Sequence, residues 1–155
     1  MPSLSVPSPI GQLAIDEKDG AIVAIRWSNE TAGNGSPLLS EAARQLAAYF
    51  DGTLTRFDLP LAPAGTPFEM RVWTAMRAIP YGETRYYGDL ATATGSGPRA
   101  VGRACGRNPI PIVIPCHRVL ARGGLGGYSG DGGLVTKQHL LAIERRDNLL
   151  LARCA

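Results

Sequence analysis

The run Pro60-Leu61-Ala62-Pro63-Ala64-Gly65 constrains the fold more than any other stretch of this chain. Two prolines without N–H groups and a glycine extend neither a helix nor a strand ladder, so the run reads as a linker. At 155 residues the chain can build one good core, or one compact domain with a small second domain against it, but not two large domains. The expected division is residues 1–62 and residues 66–155.

Charge follows the same division. Residues 1–65 hold four Lys or Arg against seven Asp or Glu, and residues 66–155 hold twelve against six, so a net −3 adjoins a net +6. A positive field attracts a polyanion, and nucleic acid is the natural candidate, although charge alone fits a solvated basic surface equally well. No stretch approaches the roughly eighteen consecutive apolar residues of a membrane span. The opening Met1-Pro2-Ser3-Leu4-Ser5 has neither basic residues nor a long apolar run, and a soluble, cytoplasmic protein is expected. The three cysteines, Cys105, Cys116 and Cys154, form no even set and no C-x-x-C pair. That argues against a disulfide framework or a thiolate zinc site and for a reducing compartment. No metal and no cofactor is expected.

Leu13-Ala14-Ile15 and Ile22-Val23-Ala24-Ile25 flank Lys18-Asp19-Gly20, which predicts a β-hairpin within 11–27. Ser36-Pro37 makes an N-cap and N1 pair, Leu39, Ala42, Ala43, Leu46 and Phe50 recur at helical spacing, and Gly52 stands where a helix ends. Leu54 to Leu61 predicts a further strand. Beyond the linker, Thr66-Pro67-Phe68-Glu69 is a capping box, with Phe68, Val72, Ala75, Met76 and Ile79 as the buried face of a helix that stops at Pro80. Two short helices, about Tyr87 to Thr94 and Arg99 to Gly106, surround Gly95-Ser96-Gly97-Pro98 and suggest a helix-turn-helix. Alone that signal is weak, because many helical hairpins bind nothing. Ile112-Val113-Ile114 reads as a short buried strand, Gly123 to Gly133 as a glycine-rich loop, and Leu134 to Arg145 as the last helix. The fold class is therefore α+β, a small N-terminal α/β unit followed by a mainly helical one.

Cys116 follows Ile-Val-Ile-Pro, where proline ends strand pairing and turns the chain, so its thiol can face a pocket. A lone cysteine is more often a small buried hydrophobe, and that reading suits Cys105 and Cys154. Cys116 differs because His117, Arg118 and Arg122 lie nearby, and positive charge lowers a thiol pKa. Adjacent residues of an extended segment point opposite ways, so a bridging water between Cys116 and His117 fits better than direct contact. Glu144 on the last helix is the best placed carboxylate to orient the imidazole.

The motif Pro115-Cys116-His117-Arg118-Val119, preceded by Asn108-Pro109-Ile110-Pro111, resembles the active site of the O6-alkylguanine-DNA alkyltransferases. The run from Thr66 to Glu144 is similar to their whole C-terminal domain, and residues 1–65 match in outline their small ribonuclease H-like N-terminal domain. The resemblance implies single-use repair, in which Cys116 takes a methyl or larger alkyl group from guanine O6 in DNA. It makes His117 the water-linked base, Glu144 the residue that holds and polarises it, and Asn108 the brace between recognition helix and active-site strand. The target lies inside the stacked duplex and must be flipped out. Arg99 matches the family's arginine finger, which fills the vacated stack, and Tyr87 the tyrosine that crowds the target phosphate and donates to the flipped base. Tyr128 and Ser129 look like the pocket wall and a donor to guanine O6, with Gly126 and Gly127 allowing close backbone approach and Lys137 orienting the loop.

The second helix of the hairpin, with Ala100, Gly102, Ala104 and Gly106, offers no long side chains for reading base edges. Small residues suit a narrow minor groove and little sequence preference, with Arg103 and Arg107 near phosphates. The expected partner is double-stranded DNA, bound by a monomer. Two features depart from the family pattern: the turn Gly95-Ser96-Gly97-Pro98 is shorter, and the segment from Ser129 to Gly133 is longer.

Overall fold

The computed structural model describes residues 2–31, 33 and 35–154, with side chains described as far as Arg145. The N-terminal part is an antiparallel meander in the order β1 (Ser3–Val6), β2 (Leu13–Lys18) and β3 (Ala21–Trp27). The β2 to β3 turn puts Asp19 at φ 52° and Gly20 at φ 79°. Two left-handed residues in a row are what a two-residue hairpin with the right twist demands, and Asp and Gly adopt them at low cost. The strand β1 carried no clear sequence signal. It is short and pairs along the opposite edge of β2, with Val6 opposite Leu13.

The helix α1 (Pro37–Phe50) starts at Ser36, whose Oγ accepts from the Leu39 N–H at 3.1 Å. Its buried residues are Leu39, Ala42, Gln45, Leu46 and Tyr49, while Ala43 and Phe50 are only partly covered. Leu39, Ala42 and Leu46 are buried as expected, but Gln45 and Tyr49 are buried in place of Ala43 and Phe50, because α1 is covered on two sides. Leu39, Ala42 and Leu46 join Leu13, Ile15, Ile22 and Ile25 in the core, and Tyr49 reaches the C-terminal half. Burying aliphatic side chains of this size contributes roughly 1.5–3 kcal/mol each.

The strand expected from Leu54 to Leu61 does not form. Gln45 explains this: its Oε1 accepts from Asp58 N at 2.9 Å and its Nε2 donates to Asp58 O at 3.0 Å, so a side chain takes the place of a neighbouring strand. Only a bridge between Ile22 and Leu61 remains, with Ile22 N donating to Pro60 O at 2.8 Å and Ala62 N to Ile22 O at 2.9 Å. The proline-rich run is therefore pinned to β3. A third bond, Ile25 N to Pro109 O at 2.9 Å, docks the active-site turn on the same strand.

In the C-terminal part α2 (Pro67–Arg77) begins with the capping box of Thr66 and Glu69, both halves of which are formed. Trp73, absent from the expected buried face, is 2% exposed and donates from Nε1 to Ala104 O at 2.8 Å. A side chain at Gly65 would overlap its ring, so glycine at the end of the linker is needed for close packing. Next come β4 (Arg85–Tyr86), α3 (Tyr87–Thr94) and α4 (Pro98–Gly106), with α2, α3 and α4 packed on one another. Gly95 closes α3 at φ 66°, and Ser96 N returns to Ala91 O at 2.8 Å, the left-handed helix end that glycine favours. The two short helices expected on either side of the glycine turn are formed.

The segment after α4 is the largest departure. Ile112-Val113-Ile114 is buried but is not a strand: Val113 N bonds Pro111 O at 2.9 Å around Ile112, which sits at φ 75°. Cys116 N bonds Ile114 O at 2.8 Å around Pro115 at φ −82°, ψ 69°. These are two γ-turns within six residues, the first of the rare left-handed sort and costly for a β-branched residue, by about 1–3 kcal/mol. Pro109, Pro111 and Pro115 remove the donors a ladder needs, and apolar character alone does not make a strand. Cys116–Arg118 then forms one turn of 3-10 helix, followed by β5 (Val119–Leu120) and α5 (Gly133–Cys154). The last helix extends past Arg145, and the Cys154 side chain lies outside the described residues. The strands β4 and β5 pair in parallel, Arg85 with Val119 and Tyr86 with Leu120. Short as it is, this pairing holds the start of α3 against the strand that leaves the Cys116 turn.

Candidate active site

Asn108 stands at the mouth of the double γ-turn. Its Oδ1 accepts from Ile110 N at 2.9 Å and its Nδ2 donates to Ile114 O at 2.8 Å, so one amide satisfies two backbone groups that a ladder would otherwise serve. The turn presents Cys116, 5% exposed, to a cavity of about 520 Å³. Tyr87, Arg99, Gly102, Cys105, Gly127, Tyr128 and Ser129 line that cavity with it. Despite the short turn between α3 and α4, Tyr87 and Arg99 face one space. Tyr87 is half-buried, Arg99 and Ser129 are exposed, and the Tyr128 Oη is buried with no hydrogen-bond partner among the described residues.

Glycine is required in the loop beside the cavity. At Gly126, φ 73°, an added Cβ would lie 2.7 Å from the Tyr87 ring. Lys137 fixes the loop, its Nζ donating to Val119 O at 2.7 Å, Leu125 O at 2.5 Å and Gly127 O at 2.9 Å. Tyr87 also reaches Gly127 O, at 3.5 Å.

Next to the thiol, His117 is fully buried and Glu144 is 1% exposed. His117 Nε2 lies 2.5 Å from Glu144 Oε2. Arg118 donates from Nε to Glu144 Oε1 at 2.8 Å and from Nη2 to Oε2 at 3.2 Å, while its Nη1 donates to Ile79 O at 2.7 Å. Burial alone would raise the Glu144 carboxyl, but the His117 contact and the Arg118 fork outweigh it and hold the group at about 2. Glu144 is thus a carboxylate, which only accepts, so His117 must carry its proton on Nε2. Burial holds the imidazole pKa down despite the carboxylate, so the ring is neutral. Its Nδ1 is left as the open base and has no partner among the described residues.

Burial likewise pushes the Cys116 thiol up, opposed by the Asn108 amide and the Lys137 charge. This corrects two expectations. Arg118 is turned to Glu144 and Arg122 lies over the Tyr86 ring at 5.0 Å, so neither supplies the positive charge beside the sulfur. Lys137 does, and the resting group is a thiol that must hand its proton to a base. Cys105 is buried as expected, its thiol pushed up to about 12 mainly by burial, but it also lines the cavity.

Models of two domains match the chain: the ribonuclease-like domain of 6-O-methylguanine DNA methyltransferase over residues 5–63 and the DNA binding domain of the same protein over residues 67–146. A methylated-DNA–protein-cysteine methyltransferase of Mycolicibacterium paratuberculosis is 47% identical over 152 residues, covering 92% of this chain and 91% of the relative. The constitutive enzyme of that name from Bacillus subtilis is 43% identical, covering 89% and 92%. This chain belongs to the methylated-DNA–protein-cysteine methyltransferase family. Its fold agrees with that of a Mycobacterium tuberculosis member, described as OGT in complex with DNA, at a TM-score of 0.84 and 43% identity over 94% of this chain and 93% of that one. The expected α+β architecture is that of the family.

On the outer face of this methyltransferase's α4, Arg99, Arg103 and Arg107 are exposed, and Ala100 and Gly102 are half-buried. Ala104 is not part of that face, being 2% exposed in the core. Arg107 caps the helix and pairs with Glu69 at 3.5 Å, its side chain 72% exposed. One contributor escaped the sequence reading, and a second was expected beside the thiol instead of on Glu144. Tyr49 donates from Oη to Glu144 Oε2 at 2.5 Å, and Arg118 carries the carboxylate. Helical spacing was no guide to Tyr49, since it shares one buried face with Ala42 and Leu46, where a tyrosine reads as packing.

Proposed function

We propose that this methyltransferase repairs alkylated DNA by direct reversal, moving a methyl or larger alkyl group from guanine O6 onto Cys116 once per molecule. The observation that carries the reading is the Cys116 thiol opening onto a cavity shared with Tyr87, Arg99, Tyr128 and Ser129, with the adjacent His117 held by Glu144. In the reaction His117 Nδ1, through a bridging water, takes the thiol proton, and Glu144 stabilises the imidazolium that forms. The sulfur attacks the alkyl carbon, the S–C bond forms and the C–O6 bond breaks, its electron pair returning to the purine. Guanine gains a proton at N1 in place of the one lost from sulfur, so the sum is thiol plus alkylguanine to thioether plus guanine. Tyr87 and Ser129 donate to the base and to O6, Tyr128 forms the pocket wall, and Asn108 keeps the turn that aims the sulfur.

The DNA partner is double-stranded and met through its minor groove by α4, where Ala100 and Gly102 permit close approach and Arg103 and Arg107 lie toward phosphates. The +6 charge of residues 66–155 favours that approach. The relative from Mycobacterium tuberculosis, described in complex with DNA, supports the same partner here. Residues 1–62 form the supporting domain and residues 66–155 the transfer domain. The protein acts as a monomer in the cytoplasm with little sequence preference; no helix among the described residues is long and apolar enough to cross a membrane.

Intact mass after incubation with O6-methylguanine DNA tests the reading: one added methyl group mapped to Cys116 is expected, and an unchanged mass would refute it. Arg99→Ala is expected to slow repair in duplex DNA by roughly tenfold, since unstacking a base costs a few kcal/mol, yet barely change reaction with free O6-benzylguanine. Equal losses on both substrates would remove Arg99 from flipping.

A further inference from the structure

Glu144 is served from three directions. Arg118 comes from the active-site turn, Gly82 N approaches Oε1 at 3.3 Å, and Tyr49 arrives from α1 in the N-terminal half, its Oη donating to the same Oε2 that meets His117 Nε2. Tyr49 is fully buried, its ring against Phe50, Phe57 and Tyr81, and its Oη also lies 3.5 Å from His117 Nε2. A fully buried tyrosine hydroxyl needs an acceptor, and this one takes the same carboxylate oxygen that accepts the imidazole N–H. We propose that Tyr49 is a positioning residue of the transfer reaction, its hydroxyl fixing the Glu144 carboxylate on the His117 ring and keeping that ring a neutral base with Nδ1 open. This rests on the reading of Cys116 as alkyl acceptor.

The physical logic is a shared oxygen. Glu144 Oε2 accepts from both Tyr49 and His117, so the hydroxyl draws off part of the negative charge that would otherwise stabilise imidazolium. Burial and the neighbouring Glu144 charge push the Tyr49 hydroxyl well above its ordinary value, so it remains a donor at every working pH. The charged or titratable groups around the imidazole are Glu144 and Lys137 on α5, Arg118 and Cys116 on its own turn, and Tyr49 on α1. Removing the hydroxyl leaves Oε2 richer in charge, and His117 should then hold a proton to higher pH. The reactive pair carries one proton between sulfur and ring, and a second proton on the ring removes the base. The acid limb of the rate profile therefore moves up.

The test is the rate of Cys116 alkylation by free O6-benzylguanine as a function of pH, in the full chain and in Tyr49→Phe, which keeps the ring. The acid limb is expected to rise by about one pH unit, with a loss of roughly fivefold or more at the acid end and little change on the alkaline plateau. Superimposable profiles would overturn the proposal and leave the functional reading intact. A full-length protein that takes no label would overturn both. Should Tyr49→Phe not fold, the hydroxyl proton of the unaltered protein is the readout. A protected downfield resonance that shifts as His117 titrates is expected, and a resonance indifferent to that titration overturns the proposal.

Discussion

Replacing Cys116 by alanine is expected to abolish alkyl transfer completely while leaving affinity for duplex DNA within about twofold, because one sulfur adds little to an interface of this kind. Cys116 is 5% exposed and lines the cavity, whereas Ala100, Arg103 and Arg107 of α4, which are proposed to meet DNA, do not line it. Removing the atom deletes the acceptor and leaves Asn108, the double γ-turn and the Lys137 clamp as they are. Transfer of label from O6-methylguanine DNA to protein measures the first quantity and mobility shift of the same duplex the second. Label on the alanine variant would move the acceptor elsewhere, and Cys105, which lines the same cavity, would be the first place to look.

Glu144→Gln is expected to act twice. Rate first: without a full charge to stabilise imidazolium, the thiol gives up its proton less readily, and transfer should slow roughly a hundredfold, the scale of general base assistance. Stability second: the variant leaves the nearly buried Arg118, 8% exposed at its side chain, without its counter-charge, at a cost of roughly 3–5 kcal/mol at neutral pH. The sign with pH follows from the carboxyl held at about 2 against an ordinary 4.5. A depressed folded-state value stabilises the fold fully above about 4.5 and loses that contribution as pH falls toward 2, amounting to roughly 3 kcal/mol. Urea midpoints of the two proteins should therefore differ most above pH 4.5 and converge below it. A gap that stays constant down to pH 2 would mean the carboxylate is not what holds this corner together.

Both effects trace to one economy in the active-site turn. Pro-Cys-His-Arg supplies the proposed nucleophile, the proposed base and the cation that helps keep the carboxylate charged within three consecutive residues, and a single turn of 3-10 helix sends them to different places. Cys116 faces the cavity, while His117 and Arg118 both meet Glu144. An extended strand end, as the apolar run before it suggested, would have alternated these side chains across a sheet.

Local chemistry sufficed for much of this. The capping box at Thr66, the Asp-Gly hairpin turn and the glycine at the end of α3 are decided by residues within a few positions of one another, and each formed as its sequence predicts. Cys116 and His117 stood out for the same reason, as neighbours in one short motif, whereas Asn108 was singled out only through the resemblance to the family. Where the sequence misled, at residues 54–61 and 112–114, apolar content was present but the hydrogen-bond partner was not. Gln45 in one case and Asn108 in the other gave the backbone a side chain in place of a neighbouring strand.

By itself the sequence determined the family, the helices with their caps, and the cysteine proposed as nucleophile, because propensity, turn chemistry and a contiguous motif are local. Only the tertiary structure decided that the thiol is buried and protonated at rest, that Lys137 rather than Arg122 is the charge beside it, and that Tyr49 crosses from the N-terminal half to Glu144. Desolvation and hydrogen bonds between residues 95 positions apart depend on what packs around a group, and no spacing along the chain encodes that.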